Sequence, residues 1–255
     1  MKKVVTFGEI MLRLCAEGEK RFVQTDNFGV CYAGAEANVA VALSCMNVSA
    51  KFVTALPDNE LGQMTANALR KFGVDLSAVK TCAGRMGLMF FEKGAGQRAS
   101  QVIYDRACSA MASAASADFD FDKIFDGAAW FHLTGITPAL SPALAKICET
   151  AVKKAKDKRL TVSFDVNYRS KLWSVNAAAA VLPKIAKYAD IIFASDWDAE
   201  NIFGAADIVD LIAKCKLKAV AHTMRGSDGT YSGVLYKDGK TYNSKKHVLT
   251  VVDRI

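Results

Sequence analysis

The chain has 255 residues, of which 51% are apolar and 23% charged, with a formal net charge of +7 at pH 7. That is ordinary soluble-globular composition, and the length suits one large α/β domain or two small ones. The basic balance admits sugar acids, nucleotide phosphates or nucleic acid. The lysines are scattered, however, and the densest run, residues 153–159, falls at an expected helix end, where it complements the helix dipole.

No run of about eighteen apolar residues spans a membrane. The charged start Met1-Lys2-Lys3 lacks the apolar stretch of a signal peptide. Seven cysteines occur with no C-x-x-C pair. An odd number without a signal peptide points to free thiols in a reducing compartment, hence the cytoplasm. His132, His222 and His247 lie far apart with no metal-ligand spacing. His132 reads as a satisfied core histidine.

In chain order, Val4 to Phe7 reads as a buried strand ended by Gly8-Glu9. Two extended segments, about 12–17 and 22–32, flank a charged turn. Gly34-Ala35-Glu36-Ala37-Asn38 then opens a buried helix, and Lys51 to Leu56 is a second core strand. Asp58 is placed to cap a helix whose apolar positions are Leu61, Met64, Ala68 and Phe72, with Gly73 as its stop. Residues 86–106 read as a hairpin turning at Gly94-Ala95-Gly96.

From residue 128 the pattern alternates. A strand over 128–133 precedes a helix opened by Ser141-Pro142, whose stripe is Leu144, Ile147, Cys148, Ala151, Val152 and Ala155. Strands at 161–166, 191–194 and 219–223 are interleaved with helices at 177–188, about 197–203 and 207–215. A hairpin over 231–242 follows. This alternation predicts an α/β fold, with a mainly parallel central sheet flanked by helices. The excursions at about 12–32 and 86–106 do not fit that sheet and predict a small β-lid. One domain over 1–255 with a lid is expected.

In such a sheet ligands bind beyond the carboxyl ends of the strands. That singles out Gly8-Glu9, Pro57-Asp58, Thr134-Gly135-Ile136, Asn167-Tyr168-Arg169, Ser195-Asp196-Trp197-Asp198 and Arg225-Gly226-Ser227-Asp228-Gly229. Glycines allow close backbone approach, and arginines grip carboxylate or phosphate. There is no Walker A motif and no G-x-S-x-G elbow.

Ala33-Gly34-Ala35-Glu36-Ala37-Asn38-Val39-Ala40, with Leu61-Gly62 downstream, resembles the first signature of the ribokinase-like (PfkB) carbohydrate kinase family. Residues 7–14, Tyr104-Asp105-Arg106 with Ser109-Ala110, Gly135-Ile136-Thr137-Pro138-Ala139-Leu140, and Asp165-Val166-Asn167-Tyr168-Arg169 with Leu172-Trp173 are similar to its 2-keto-3-deoxygluconate kinases. The resemblance implies a ribokinase-like three-layer fold. It also implies ATP-dependent, Mg2+-assisted phosphorylation of the terminal hydroxyl of that sugar acid.

It assigns Glu9, Gly34, Ala35, Asn38, Tyr104, Arg106 and Ile136 to the sugar, with Arg169 between sugar and nucleotide. Asn167, Ser195, Thr223, Arg225, Gly226 and Gly229 go to the nucleotide. Asp198 goes to the metal, although the family's N-x-x-E element there carries the longer glutamate. The chain shows no basic stripe interleaved with aromatics and no apolar span, so no nucleic-acid or membrane partner is expected, and the resemblance implies a lid that can pair two copies in a homo-oligomer. Each residue also has a plain reading. Asn38 and Asp198 can simply begin helices, Tyr104 can pack the lid, Glu9 can end a strand, and Arg106 and Arg169 can form surface ion pairs.

The family's catalytic Gly-x-Gly-Asp supplies an anion hole and a general base. Residues 251–255 resemble the segment before it, and no Gly-x-Gly-Asp occurs in the 255 residues. The resemblance therefore implies a domain incomplete at its C-terminus, nearly inert as a kinase as it stands, with an uncovered apolar face. The alternatives are a kinase of a neutral sugar of fructose or ribose type, or a non-catalytic sugar-binding fragment.

Overall fold

The computed structural model describes residues 3–250. The segment 251–255, read above as preceding the catalytic motif, lies outside the described residues. The chain divides into two compact units, Met1–Asp120 and Phe121–Ile255.

In the first unit, β1 (Lys3–Phe7) is followed by β2 (Met11–Ala16), β3 (Phe28–Ala33), α1 (Ala35–Cys45) and β4 (Ala50–Val53). β1 and β4 run parallel, with Val4 opposite Ala50 and Phe7 opposite Val53. Phe7, Phe52 and Val53 are fully buried, the continuous burial of strands covered on both faces.

The expected lid is a separate four-stranded sheet in the order β3–β2–β7–β8, where β7 is Leu88–Glu92 and β8 is Gln101–Asp105. Strand alternation divides its faces. Met11, Ala33 and Met89 form one, with Phe91, Val102 and Tyr104 packed on them. The other carries the apolar row Val30–Leu14–Phe90–Ile103 across all four strands. Val30 and Ile103 are about half exposed.

Three expectations fail here. The strand expected over 51–56 is two strands, β4 and β5 (Ala55–Pro57), and β5 pairs instead with β6 (Lys80–Cys82). The following helix, α2 (Glu60–Arg70), is capped by Asn59 rather than Asp58: the Asn59 side chain accepts from the amides of Leu61 and Gly62. Its apolar stripe also faces outward, with Leu61, Met64 and Phe72 exposed and Gly62, Thr65, Ala66 and Leu69 buried. The cause is close approach, since a Cβ on Gly62 would lie 2.1 Å from the Pro57 carbonyl oxygen. No side chain fits at that point, so the face that carries Gly62 turns inward.

In the second unit, β9 (Ala128–Thr134), β10 (Thr161–Asp165), β11 (Ile191–Phe193) and β12 (Ala219–Arg225) are parallel neighbours. β13 (Thr230–Lys237) and β14 (Lys240–Asn243) add an antiparallel edge. The interleaved helices are α4 (Pro142–Asp157), α5 (Val175–Ala186), α6 (Asp196–Phe203) and α7 (Ile208–Cys215), after a short α3 (Phe121–Ile124). The fold is therefore α/β, with a mostly parallel sheet flanked by helices, as the alternation predicts.

α4 obeys its sequence throughout. Ser141 Oγ accepts from the Leu144 amide at 3.2 Å, and all six stripe residues are buried. Phe193, Leu235 and Tyr242 share one face of the β11–β14 edge, and Phe193 and Tyr242 remain exposed there beside a shallow depression of about 450 Å³.

His132 lies inside β9. Ser163 Oγ accepts from Trp130 Nε1 at 2.7 Å and lies 2.8 Å from His132 Nδ1. Burial pushes the His132 pKa down to about 4.

Candidate functional site

In the first unit the site candidates gather on Glu9, at the end of the turn that follows β1. Its carboxylate is 3% exposed. Arg106, just past β8, donates from Nε to Glu9 Oε2 at 2.8 Å and places Nη2 2.5 Å from the same oxygen. Ser109 Oγ donates to Oε1 and itself accepts from the Ala112 amide at 3.1 Å. A carboxylate this deep persists only when its oxygens are answered, and here both are.

Two glycines make the room. A Cβ on Gly34 would lie 2.4 Å from the Glu9 carbonyl oxygen, and one on Gly87 2.8 Å from Glu9 Oε1. Gly34 is also the N-cap of α1 and offers no side-chain cap, and the first turn carries the buried Glu36. Ala35 begins the helix half-buried, and Asn38 is exposed in the first turn, with its amide bonded to the Gly34 carbonyl at 2.8 Å. Tyr104 is half-buried against the Met11–Ala33–Met89 face, with the Arg106 guanidinium 5.7 Å from its ring centre.

Thus Glu9, Gly34, Tyr104 and Arg106, read separately from sequence, form one contact set, and the surface ion-pair reading of Arg106 fails because its partner is buried. Ser109 and Gly87 complete the set and were not singled out as site residues. The only signal for Ser109 was its place three residues beyond Arg106 in a recognisable string.

In the second unit the candidates line successive strand ends. After β9, Thr134 Oγ1 accepts from the Ile136 amide at 3.1 Å, and Ile136 is half-buried. After β10, Asp165 accepts from the Asn167 amide at 3.1 Å. Asn167 takes a left-handed φ of 38°, which asparagine tolerates better than most residues. Arg169 is exposed, and its side chain has no partner among the described residues.

Tyr168 stacks on Trp197 at 5.3 Å and 29°, tying the end of β10 to the start of α6. This pair was not assigned a role from sequence. Its signal was an aromatic residue beside each of two strand-end motifs.

Ser195 and Asp198 form a reciprocal cap on α6. Asp198 Oδ2 accepts from the Ser195 amide at 2.8 Å and hydroxyl at 2.6 Å, and Ser195 Oγ accepts from the Asp198 amide at 3.2 Å. Among the described residues no group of three His, Cys, Asp or Glu side chains could hold a metal. The protein donor set at Asp198 is one carboxylate, partly committed to its helix. That is too little for an all-protein cage, but it suits Mg2+, which commonly combines one or two carboxylates with waters and substrate phosphates.

One placement differs from expectation. Thr223 lies within β12 as expected, opposite Gly233, but Arg225, expected beyond the strand, also lies within it, opposite Tyr231. Antiparallel pairing to β13 carries β12 two residues past the expected end at Thr223. Gly226 and Gly229 then close the turn, with the Gly226 amide bonded to Thr230 O at 2.8 Å. Asp228 accepts from the Thr230 amide and hydroxyl, which lowers its carboxyl pKa. Arg225 and this turn are exposed. Among the described residues no helix is long and apolar enough to cross a membrane.

A mostly parallel α/β sheet with helix N-termini and arginines at its strand ends, together with a β-lid, is the architecture of a sugar kinase. The sequence profile of the pfkB family carbohydrate kinases matches residues 1–253. The chain belongs to that family and is a phosphotransferase, with ATP as the phosphate donor that a kinase of this family implies.

Among solved structures it is similar to the 2-dehydro-3-deoxygluconokinase of Thermotoga maritima, at 42% identity and a TM-score of 0.95, over 100% of this chain and 83% of that one. Among curated proteins it is 34% identical to the 2-dehydro-3-deoxygalactonokinase of Haloferax volcanii, over 92% of this chain and 76% of that protein. It is 30% identical to the 2-dehydro-3-deoxygluconokinase of Bacillus subtilis, over 89% and 71%.

Proposed function

We propose that the chain binds a six-carbon 2-keto-3-deoxy sugar acid, 2-keto-3-deoxygluconate in the first instance, for phosphorylation at its terminal hydroxyl. The observation that carries this reading is the Glu9–Arg106–Ser109 cluster beside the uncapped start of α1. Arg106 uses Nε and Nη2 on Glu9, and its Nη1 has no hydrogen-bond partner among the described residues. A guanidinium with one edge held by Glu9 and Nη1 still open can take a carboxylate. Tyr104 and Asn38 would orient the sugar hydroxyls, and the similarity to kinases of 2-dehydro-3-deoxy sugar acids points the same way.

In the second unit, Arg169, Asn167, Ser195, Thr223, Arg225, Gly226 and Gly229 would serve the nucleotide, and Ile136 the sugar. ATP would arrive with Mg2+, which neutralises phosphate charge and would draw on Asp198 and waters. Asp198 would leave Ser195 capped through Ser195 Oγ while lending its carboxylate to that shell. The lid's apolar row Val30–Leu14–Phe90–Ile103 would pair two copies, and the protein would act in the cytoplasm.

Calorimetric titration tests the substrate. 2-Keto-3-deoxygluconate should bind at least about tenfold tighter than fructose, a difference of about 1.4 kcal/mol. Equal or tighter fructose binding overturns the sugar-acid reading in favour of a neutral-sugar kinase. A coupled ATP assay on the same sample separates binding from turnover.

A further inference from the structure

Cys15 and Cys31 lie on neighbouring lid strands with their sulfurs 3.6 Å apart. Both are half-buried and reduced. Cys15 is opposite Gly29 and Cys31 opposite Arg13, so the two are diagonal neighbours on one face of the sheet. Gly29 explains why they meet. It presents no side chain to Cys15, and the nearest atom to a Cβ placed there would be 3.9 Å away. Nothing steric requires a glycine at that position. Its effect is to leave the space through which the Cys15 side chain leans toward Cys31.

From this juxtaposition we propose that Cys15 and Cys31 form a redox modification site, a dithiol that takes a disulfide from a low-molecular-weight disulfide such as oxidised glutathione. One thiolate attacks a sulfur of RSSR, forming protein–S–SR and releasing RS⁻. The second thiolate attacks the protein sulfur of that mixed disulfide and releases the other RS⁻. The two thiol protons pass to the released thiolates. Two protein thiols are thereby oxidised and RSSR is reduced to two RSH.

The site is kinetically primed because the resolving sulfur already touches its target. It is also coupled to the lid. Bond formation brings the sulfurs to about 2.05 Å. Diagonal partners in an antiparallel pair stand about 7–8 Å apart at Cα, beyond the roughly 6.8 Å that disulfides usually span. β2 and β3 already stand at ladder spacing, so the bond needs a small slip of one along the other, and mild reductant should open it.

The folded chain is incubated in glutathione buffers of graded redox poise, quenched with acid and read by intact-mass and peptide mass spectrometry. The expected result is a loss of two hydrogen masses and one peptide link, Cys15 to Cys31. The link reverts on reduction and is replaced in C31S by a persistent glutathione adduct on Cys15. The same treatment in urea should scatter links among the seven cysteines, which shows that the fold selects the pair. Adducts confined to the exposed Cys45 and Cys108, or a link between another pair in the folded chain, would overturn the proposal.

Discussion

Around Glu9 in the first unit every charge is answered: Arg106 and Ser109 hold both carboxylate oxygens in a nearly dry setting. At the strand ends of the second unit the opposite holds. Arg169 and Arg225 are exposed, and their guanidinium groups have no ion pair among the described residues. Arg225 is met only by the ring of Tyr231, 5.7 Å away. The first arrangement is organised before any ligand arrives and should contribute to stability. The second spends nothing on the fold and should reveal itself only when an anion binds.

The sharpest way to break the contrast is Glu9→Ala. It leaves the Arg106 guanidinium, whose side chain is 10% exposed, without its counter-ion, and should cost about 3–5 kcal/mol in urea unfolding. A loss below about 1 kcal/mol would place the cluster among ordinary surface pairs.

Next in size is a pH effect from the uncharged interior of the second unit. The folded pKa of His132 is depressed from 6.5 to about 4, so the unfolded chain binds the extra proton first. The contribution is complete above pH 6.5 and disappears as pH falls toward 4, about 3 kcal/mol in all. Stability measured across that window should slope in wild type and flatten in His132→Asn. An equal slope in both would assign the loss to other groups.

Smaller again is Ser141→Ala, which removes the cap of α4 and should cost about 1 kcal/mol, read as a shifted urea midpoint. Smallest in stability is Arg169→Ala, expected to stay within about 0.5 kcal/mol while weakening ATP binding by about 1.5–3 kcal/mol. A variant that unfolds instead would show that this arginine belongs to the fold and would erase the difference between the two regions.

How legible the molecule was depends on what each element packs against. α4 could be read from its sequence because a long helix lying on a flat sheet buries whatever stripe is most apolar, and that stripe ran from Leu144 to Ala155. α2 could not. It passes close to Pro57, so Gly62 and Ala66 are inside and Leu61 and Met64 outside, and hydrophobic spacing alone points to the wrong face. The site was legible as a set of motifs but not as a network. Nothing local in Glu9 or Ser109 announces that residues a hundred positions apart share one carboxylate.

By itself the sequence determined the alternation of strands and helices, the caps and turns, and the family, because each depends on residues within a few positions of one another or on recognisable strings. The tertiary structure decided the pairing of β5 with β6, the inward face of α2, the extension of β12 along β13, and the meeting of Cys15 with Cys31. Those depend on how near two segments can approach, a distance set by both partners together.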